Sequence, residues 1–402
     1  MSNISRLLPW LILLGCLVLA GCGGVSGVTD KVTGMFDGKD DEDDNKPLPP
    51  AELIEFEPTV EVEKVWSGRY GKGVEKLYLK LVPAPYYDRI LVADRDGRMI
   101  AISKEDGSKL WQERTKKIHI SGGVGAGEGL ALVGTSDGLV IARSAKTGEE
   151  IWTAQVSSEV LAAPQAGGGL VVVRSADGKL FGLEASTGER RWIYDRTVPR
   201  LTLRGNSPPT IYDDMVFAGF DNGRLAGLEL ETGRPIWEAP LSIPSGRSDL
   251  ERMVDVDSAP VLLDNRIFVA GFQGRVAAAE SLKGQLEWTR DISSYAGLAV
   301  DDQNVYVTDE ESNVWALDRD TGASEWKQEG LVRRQVTKPV VVGDYVVVGD
   351  FKGYTHWMDR RNGDFVNRIR VDNKPIIAPP ISMGDAVLLD SVEGVLTVLR
   401  PK

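Results

Sequence analysis

The chain has 402 residues, of which 42% are hydrophobic and 26% are charged, and its formal net charge is −12 at pH 7. A chain with this negative charge binds nucleic acid and anionic lipid surfaces poorly, and both are therefore excluded as main binding partners. Both cysteines, Cys16 and Cys22, fall within the first 22 residues, which excludes a disulfide-stabilised core.

The first 21 residues have the features of an export signal. Arg6 precedes an apolar run over residues 7–19, which is too short to cross a bilayer as a helix. The run ends in LAGC, which resembles the lipobox of bacterial lipoproteins, so Cys22 is predicted to be lipidated and to begin the mature chain. A plain signal peptide with a chance cysteine is the alternative. Gly23 replaces the Asp that retains many such proteins at the inner membrane, which implies the periplasmic face of the outer membrane of a Gram-negative bacterium.

Residues 22–57 are predicted to form a lipidated, acidic tether. They are rich in Gly, Asp and Pro, and the run DGKDDEDDNK begins at Asp37. Low hydrophobicity and like charges predict disorder, and about 35 flexible residues span roughly 30–35 Å. An acidic run can also bind a basic partner, but a solvated spacer before the globular part is the expected role.

From residue 58 onward the chain is built on a repeat of about 40 residues. Apolar runs rich in β-formers flank a tight turn, and a second turn and another strand follow, with room for one more short strand before them. Four antiparallel strands in a repeat of this length predict a β-propeller blade. A solenoid is the alternative, but its repeats usually carry a helix or are shorter. The first turns fall at Gly97, Gly138, Gly178, Gly223, Gly274, Asn313, Gly353 and Gly394.

A tryptophan stands 13 or 14 residues after this turn in the first six repeats. A large ring at a fixed place in each blade is expected to fill the wedge between neighbouring sheets rather than to form a ligand cage. The seventh repeat has Asn367 and Arg368 there, so its junction is expected to pack differently. The six residues are Trp111, Trp152, Trp192, Trp237, Trp288 and Trp326.

The two ends of the globular part predict how the ring closes. After Gly394 only VLTVLRPK remains, so the eighth repeat lacks its last strand, whereas the segment that ends in Trp66 has no hairpin before it. The N-terminal strand is expected to complete the last blade, which removes open sheet edges. The predicted fold is all-β: an eight-bladed β-propeller of four-stranded antiparallel blades over residues 58–402, closed by the N-terminal strand.

The sequence offers few candidates for catalysis or metal binding. Its two histidines, His119 and His356, lie in different repeats without partner motifs, so structural roles are expected. Residues 134–138, GTSDG, match the G-x-S-x-G motif of hydrolases, but they fall at a hairpin rather than at the strand-to-helix turn that the motif needs. No catalytic residue, metal ligand or cofactor is predicted.

The repeat pattern, with Leu-x-Ala/Gly-Leu-Glu, Thr-Gly-Glu and a late Trp, resembles that of quinone-dependent dehydrogenases. The resemblance implies the same eight-bladed ring and leaves a quinone-dependent enzyme as one alternative function. Those enzymes are longer and carry vicinal cysteines over the cofactor. This chain has neither feature, so it is expected not to be an enzyme.

Two consecutive repeats are longer than the others. The interval that ends at Gly223 contains PRLTLRGNSPP from Pro199, and the interval that ends at Gly274 contains IPSGRSDLERMVDVDSAP from Ile243. Both insertions follow the tryptophan strand, so they should project from the same rim of adjacent blades. Apolar residues ringed by charges predict a protein-docking patch. Ordinary core leucines beside solvated loops are the alternative.

Taken together, the lipobox, the eight blades, LTLRGNSPP and ERMVDVDSAP resemble the BamB family of outer-membrane lipoproteins. The resemblance covers nearly all of the chain beyond the tether, whose length and acidity depart from the family pattern. It implies a non-enzymatic scaffold of the outer-membrane protein assembly complex that binds a periplasmic POTRA domain of BamA. Other subunits of the complex and unfolded β-barrel precursors are further expected partners.

The same resemblance implies which residues bind the partner, because the family's partner-binding positions lie in the two long insertions. A lipoprotein propeller that binds another periplasmic protein or peptidoglycan is the alternative function. By motif match the partner-binding positions fall on Leu201, Leu203, Arg204, Asp255 and Asp257.

Overall fold

The computed structural model describes residues 48–74, 79–196, 207–242, 254–256 and 258–402. In this part of the chain the regular structure is β-strand alone, arranged as eight four-stranded antiparallel sheets. Each sheet is one blade, and in blades 1 to 7 the strands follow one another in chain order. The eight-bladed propeller predicted from the repeats is confirmed.

The strands have the following bounds. The first strand in the described residues is β1 (Val62–Arg69), and blades 1 and 2 contain β2 (Ala84–Tyr86), β3 (Arg89–Ala93), β4 (Arg98–Ser103), β5 (Lys109–Arg114), β6 (Ile120–Gly127), β7 (Leu130–Thr135), β8 (Leu139–Ser144) and β9 (Glu150–Gln155). Blades 3 and 4 contain β10 (Gln165–Gly167), β11 (Leu170–Arg174), β12 (Leu180–Glu184), β13 (Arg190–Tyr194), β14 (Thr210–Tyr212), β15 (Met215–Gly219), β16 (Arg224–Glu229) and β17 (Pro235–Pro240). Blades 5 and 6 contain β18 (Val261–Leu263), β19 (Arg266–Ala270), β20 (Val276–Glu280), β21 (Leu286–Arg290), β22 (Gly297–Val300), β23 (Asn304–Thr308), β24 (Val314–Asp318) and β25 (Ser324–Gln328). Blade 7 contains β26 (Val340–Val342), β27 (Tyr345–Gly349), β28 (Tyr354–Asp359) and β29 (Phe365–Arg370), and blade 8 contains β30 (Ile381–Ser382), β31 (Val387–Asp390), β32 (Val395–Pro401) and β1.

An apolar core lies at each junction between neighbouring blades. The second strand of a blade buries both faces, because one face packs on the preceding blade and the other on the following blade; β7 and β11 are fully buried. Each core combines residues of two blades, as where Leu132 of blade 2 lies with Val171 and Phe181 of blade 3. Each blade is therefore held by its two neighbours rather than by one central core.

The turn between the second and third strands needs a left-handed residue in each blade. Gly97 supplies it in blade 1 with a φ of 85°, a conformation that glycine adopts without strain. In blade 6 the left-handed residue is Ser312, with a φ of 73°, and not Asn313. The predicted turn position in that blade was thus one residue too late, since Asn313 already accepts the bond that closes the turn, from the nitrogen of Asp309 at 2.9 Å.

The repeated tryptophans dock each blade onto the next, as the repeat pattern predicted. The indole nitrogen of Trp152 donates a 2.8 Å hydrogen bond to the carbonyl of Ala185, in the turn between the third and fourth strands of blade 3. The ring also covers Gly188 in that turn, where an added Cβ would lie 2.6 Å from it. Equivalent hydrogen bonds of 2.8–3.2 Å are made by Trp66, Trp111, Trp192, Trp237, Trp288 and Trp326.

The seventh blade reverses the usual pairing. In blades 1 to 6 the tryptophan of the fourth strand pairs with Ala or Gly on the third, whereas in blade 7 Asn367 of the fourth strand pairs with Trp357 of the third. The reason lies in blade 8, where the third and fourth strands, β32 and β1, belong to opposite ends of the chain and share no connecting turn. A tryptophan at position 367 would have no such turn to dock onto.

The N-terminal strand closes the ring as predicted. β1 pairs antiparallel with β32, and blade 8 has the strand order β1-β32-β31-β30. The hydroxyl groups of Ser67 and Thr397 share a 2.8 Å hydrogen bond across this pair. The backbone nitrogen of Lys402 donates to the carbonyl of Glu61 at 2.9 Å, so both ends of the propeller meet in one blade.

The propeller has two rims that carry different connections. Because neighbouring strands alternate in direction, the turns between second and third strands share a rim with the connections from one blade to the next. We call this the loop rim; it carries the turn at Gly97 and the ends of the two long connections that follow β13 and β17. The opposite rim carries the turns between third and fourth strands, such as the one at Gly188.

Residues 49–60 lie against blade 7, and we call them the strap. The Arg334 guanidinium donates to the carbonyl of Ala51 at 2.9 Å, and Arg368 donates to the carbonyl of Ile54 at 2.9 Å. The compact unit that contains the propeller begins at Pro49. Part of the segment assigned above to the tether therefore contacts the propeller through its backbone carbonyls.

A buried charged cluster lies beneath the strap. Asp350 accepts hydrogen bonds from Arg334 at 2.7 Å and from Nε2 of His356 at 3.1 Å, and Arg368 donates to Nδ1 of His356 at 3.3 Å. Because Nδ1 accepts a hydrogen bond, the imidazole proton resides on Nε2 and the ring is neutral. Burial lowers the pKa of His356, although Asp350 acts in the opposite direction. Both ring nitrogens are used inside the fold, so this histidine is structural.

Candidate functional site

Among the residues predicted to bind a partner, Asp255 lies in the described part of the chain. The other four, Leu201, Leu203, Arg204 and Asp257, lie outside the described residues, as does the lipidation candidate Cys22. What the structure describes of this surface is Asp255 and the residues that flank the two long connections.

The ends of the two long connections are tied together on the loop rim. The Ser207 hydroxyl, directly after the first connection, donates a 2.9 Å hydrogen bond to the carbonyl of Ser258, directly after the second. The Thr210 hydroxyl donates to the carbonyl of Pro260 at 2.6 Å. The C-terminal ends of the two long connections therefore reach the propeller at one hydrogen-bonded base.

Asp255 is buried, with 1% of its surface exposed. Its backbone pairs with that of Phe272, whose nitrogen donates to the Asp255 carbonyl at 2.7 Å. The neighbouring Val256 packs so closely on Gly219 that an added Cβ there would lie 2.3 Å from a Val256 methyl carbon. A buried carboxylate requires a polar or charged neighbour, so this position favours orienting another side chain of the rim over direct contact with a partner.

A group of charged and aromatic residues, which we call the rim cluster, lies on the loop rim of blades 3 and 4. Arg174 and Asp221 form a buried ion pair, and the Arg174 guanidinium carbon lies 5.8 Å from the centre of the Phe220 ring. The guanidinium of Arg196 lies 5.9 Å from the same ring, so Phe220 contacts two cations. The members of the cluster are Arg174, Tyr194, Arg196, Phe220, Asp221, Arg224 and Glu238.

Glu238 joins the remaining members of the rim cluster. Arg196 donates to the Tyr194 hydroxyl at 2.7 Å, and this hydroxyl donates to Glu238 at 2.8 Å. Arg196 also forms an ion pair with Glu238, and Arg224 lies 3.4 Å from the second carboxylate oxygen. Burial alone would raise the pKa of Glu238, but the hydrogen bonds from Tyr194 and Arg196 hold it below its usual value. A network of this kind gives the adjacent connections a rigid base.

Sequence reasoning missed the rim cluster, although the repeats contain a signal for it. Four positions before the turn glycine, near the end of the second strand, five of the eight repeats have Ala or Gly: Ala93, Gly134, Gly219, Ala270 and Gly349. At Gly134 and Gly219 the reason is visible, because the following blade approaches to within 2.2–2.3 Å of an added Cβ. Arg174 occupies this position in blade 3, directly before the two long insertions. Arg174 is the largest side chain at this position among the eight repeats, which marks the unusual junction.

The described residues offer little that could support catalysis or metal binding. Among them, no group of three or more His, Cys, Asp or Glu side chains is arranged to hold a metal ion. The GTSDG segment spans the hairpin turn between β7 and β8, as predicted, and so lacks the geometry of a nucleophile elbow. In the same part of the chain no helix has the length and hydrophobicity needed to cross a membrane.

The chain is similar to known proteins over nearly its whole length. A family model described as outer membrane protein assembly factor BamB matches residues 95–328. The outer membrane protein assembly factor BamB of Xanthomonas campestris pv. campestris is 42% identical over 399 residues, which cover 97% of this chain and 96% of the relative.

Solved structures show the same relationship. The crystal structure of BamB from Moraxella catarrhalis is similar with a TM-score of 0.78 and 28% identity, over 85% of this chain and 100% of that one. A europium-containing methanol dehydrogenase has a TM-score of 0.71 at 13% identity, over 87% of this chain and 95% of that one. At such low identity this second likeness shows a shared fold alone.

Proposed function

The chain belongs to the BamB family of outer-membrane protein assembly factors, and we propose that its loop rim docks onto the periplasmic POTRA region of BamA. As a member of this family it is a non-enzymatic assembly factor. In the proposal the propeller is a scaffold within the assembly complex that assists the insertion of β-barrel precursors.

One observation carries the proposal: the ends of the two long connections are hydrogen-bonded to each other, from Ser207 to Ser258 and from Thr210 to Pro260. Connections on a rigid base present a defined surface to a partner, which is how binding loops are used on many scaffolds. The rim cluster beside them supplies charged groups around that surface. An apolar centre with a polar rim is the usual composition of a protein interface.

The predicted residues take different roles in this interface. Leu201 and Leu203 supply the apolar anchor, and Arg204 supplies a directed, charged hydrogen bond. Asp255 acts from below the surface, since 1% of it is exposed, and it orients Arg204 instead of contacting the partner. Asp257 belongs to the same acidic segment and contributes to the register of the complex.

The N-terminal segment keeps this surface at the membrane. In the proposal, residues 1–21 are a lipoprotein signal peptide, Cys22 carries the acyl chains, and the acidic tether links it to the propeller. The lipid anchor is the contact with the membrane, on the periplasmic face of the outer membrane. The docked propeller can then meet other subunits of the complex and unfolded barrel precursors near the insertion site.

Capture of the purified POTRA region of BamA tests the interface. Truncating an anchor residue in a buried hot spot costs about 2 kcal/mol or more, so Leu203→Ala and Arg204→Ala should each weaken binding at least about tenfold. Asp255→Ala should weaken it less, because its effect passes through Arg204. Each variant is also melted, so that a loss of fold is separated from a loss of contact.

Matched substitutions on the opposite rim serve as controls. Leu282 lies in an exposed turn of blade 5, and Arg361 lies in an exposed turn of blade 7. Leu282→Ala and Arg361→Ala remove the same side chains and should leave capture unchanged. Unchanged capture by Leu203→Ala and Arg204→Ala, with unchanged melting, would place the interface elsewhere. If a variant loses both capture and cooperative thermal unfolding, the leucines belong to the core.

A further inference from the structure

A cavity of about 650 Å³ lies on the axis of the propeller. All eight blades contribute to its wall, through residues at or just before their first strands, such as Val82, Leu161, Ala259 and Ile377. A cavity of this size is in the range that holds a small organic ligand. Because every blade shares the wall, an occupant would contact the ring as a whole.

The wall of the axial cavity is largely apolar. Val, Leu, Ile, Ala and Pro side chains form most of it, and two of the polar side chains among them, Ser258 and Thr337, are used by the blades. The Ser258 hydroxyl donates to the carbonyl of Ala270 at 2.9 Å, and the Thr337 hydroxyl accepts a hydrogen bond from the Gly349 nitrogen at 2.9 Å. These two groups are therefore committed to the fold and do not face a ligand as free partners.

The described lining carries positive charge alone. Lys80 and Lys338 are its charged residues, and no acidic residue is among the described lining, although the chain as a whole has a net charge of −12. The Lys338 ammonium makes no hydrogen bond or ion pair with another described residue. Burial alone lowers the pKa of this amine, because the charged form lacks solvation there. The Lys338 side chain is partly exposed and has no counter-charge among the described lining, so an anion in the cavity would pair with it favourably.

Tyr295 provides a further donor in the same wall. Burial raises the pKa of its phenol, and the nearby carboxylates of Glu310 and Asp309 raise it further. The hydroxyl thus stays protonated at neutral pH and can donate a hydrogen bond to an anionic oxygen.

We propose that the axial cavity binds one small anion with an apolar ring body, such as an aromatic sulfonate or carboxylate. The anionic group pairs with Lys338, and the apolar body fills the space between the surrounding aliphatic side chains. A neutral ligand would leave the ammonium unpaired, and a cation would be repelled. None of the five residues proposed to bind BamA is used, so this site and the docking surface can be tested separately.

Calorimetric titration with anilinonaphthalenesulfonate tests the proposal, on the chain from residue 23 onward, which keeps every described residue. One molecule should bind per chain and raise the melting temperature, because it binds the folded ring. Lys338→Met keeps the length of the side chain and removes its charge, so it should weaken binding about tenfold or more. The same substitution at the exposed Lys146 should have no effect.

Two further arms separate charge from shape. Phenylnaphthylamine has the same ring body without the sulfonate, so its binding should be insensitive to Lys338→Met. Ala163→Trp and Ala296→Trp place a large ring in the cavity and should abolish the binding of both probes while the protein still melts cooperatively. The proposal is overturned by equal sulfonate affinity of wild type and Lys338→Met, by binding that survives both tryptophan variants, or by the absence of saturable binding.

Discussion

The side-chain amide of Asn367 donates a 2.6 Å hydrogen bond to the carbonyl of Val60. Blades 1 to 6 place a tryptophan at the equivalent position, and that tryptophan docks onto a turn of the next blade. In blade 8 the third and fourth strands are not joined by such a turn. Asn367, which binds the segment that leads into β1, therefore replaces the tryptophan. The exception in the repeat is thus a direct result of how the ring closes.

The tight contact between tryptophan and turn glycine should be measurable as stability. Gly188 has a φ of 75° and lies under the Trp152 ring, whereas Gly169 has a φ of 79° and nothing within 4 Å of an added Cβ. At both positions the left-handed backbone should lower the unfolding free energy of an alanine variant by about 1–2 kcal/mol. At Gly188 overpacking should lower it by about 1–3 kcal/mol more. Urea denaturation of Gly188→Ala and Gly169→Ala measures the difference, and equal losses would contradict a tight docking contact.

Deletions at the N-terminal end should separate the closing strand from the tether. Removing residues 58–66 takes away the strand segment that contains Trp66 and leaves β32 with an open apolar edge. We expect loss of cooperative melting or aggregation. Removing residues 23–47, which precede the described contacts, should barely change the melting temperature. If both deletions melt like the full chain, β1 is not needed for closure.

The cluster beneath the strap predicts a pH dependence of stability. A histidine whose pKa is lowered by folding stabilises the protein fully above its unfolded-state pKa of about 6.5, and this contribution is lost as the pH falls toward the lower folded-state pKa. The unfolding free energy should therefore decrease between about pH 7.5 and pH 5, by at most about 1.4 kcal/mol per pH unit for this one group. Asp350, whose pKa is also held below its usual value despite burial, acts in the same direction at lower pH.

Substitution of each histidine checks this assignment. His356→Gln keeps an N–H donor for Asp350 but cannot titrate, so the slope between these pH values should become smaller. His119 is exposed, and His119→Gln should leave the slope as it is. A slope that persists unchanged in His356→Gln would assign the pH dependence to other groups.

Substitution of Cys22 tests the proposed anchor. A single acyl chain holds a protein to a membrane only marginally, so stable anchoring by a lipidated cysteine requires more than one chain. Cys22→Ser should accumulate as an uncleaved or mislocalised precursor in fractionated envelopes. Normal processing together with normal outer-membrane fractionation would remove the basis for the lipobox assignment.

The sequence was informative where one physical requirement recurs in most blades. Glycine best tolerates a left-handed turn, and a large ring fills the wedge between sheets, so Gly97 and Trp152 could be recognised from spacing alone. The incomplete eighth repeat and the unpaired segment ending in Trp66 similarly predicted closure. Each of these signals lies within a short segment or recurs along the chain, so it can be recognised before the fold is known.

Features that depend on contacts between distant segments were not predictable. The strap is held by Arg334 and Arg368, which bind its backbone carbonyls. It is also held by stacking of Phe56 on Phe365, with ring centres 5.7 Å apart. These partners lie far from the strap in the sequence, so residues 49–57 were assigned to the tether. The rim cluster was also not predicted, because Arg174 and Asp221 come into contact only when two neighbouring blades are packed together.

Closure by β1 also determines the order in which this protein can fold. Ser67 and Thr397 pair across a separation of 330 positions, so β1 must wait for β32 before it can pair. Contacts at such separations slow folding, since the loop between them must be ordered before they form. Individual blades can assemble earlier, but the ring stays open, with two apolar strand edges, until β32 is available to pair with β1. The arrival of β32 therefore sets the earliest moment at which the closed propeller can exist.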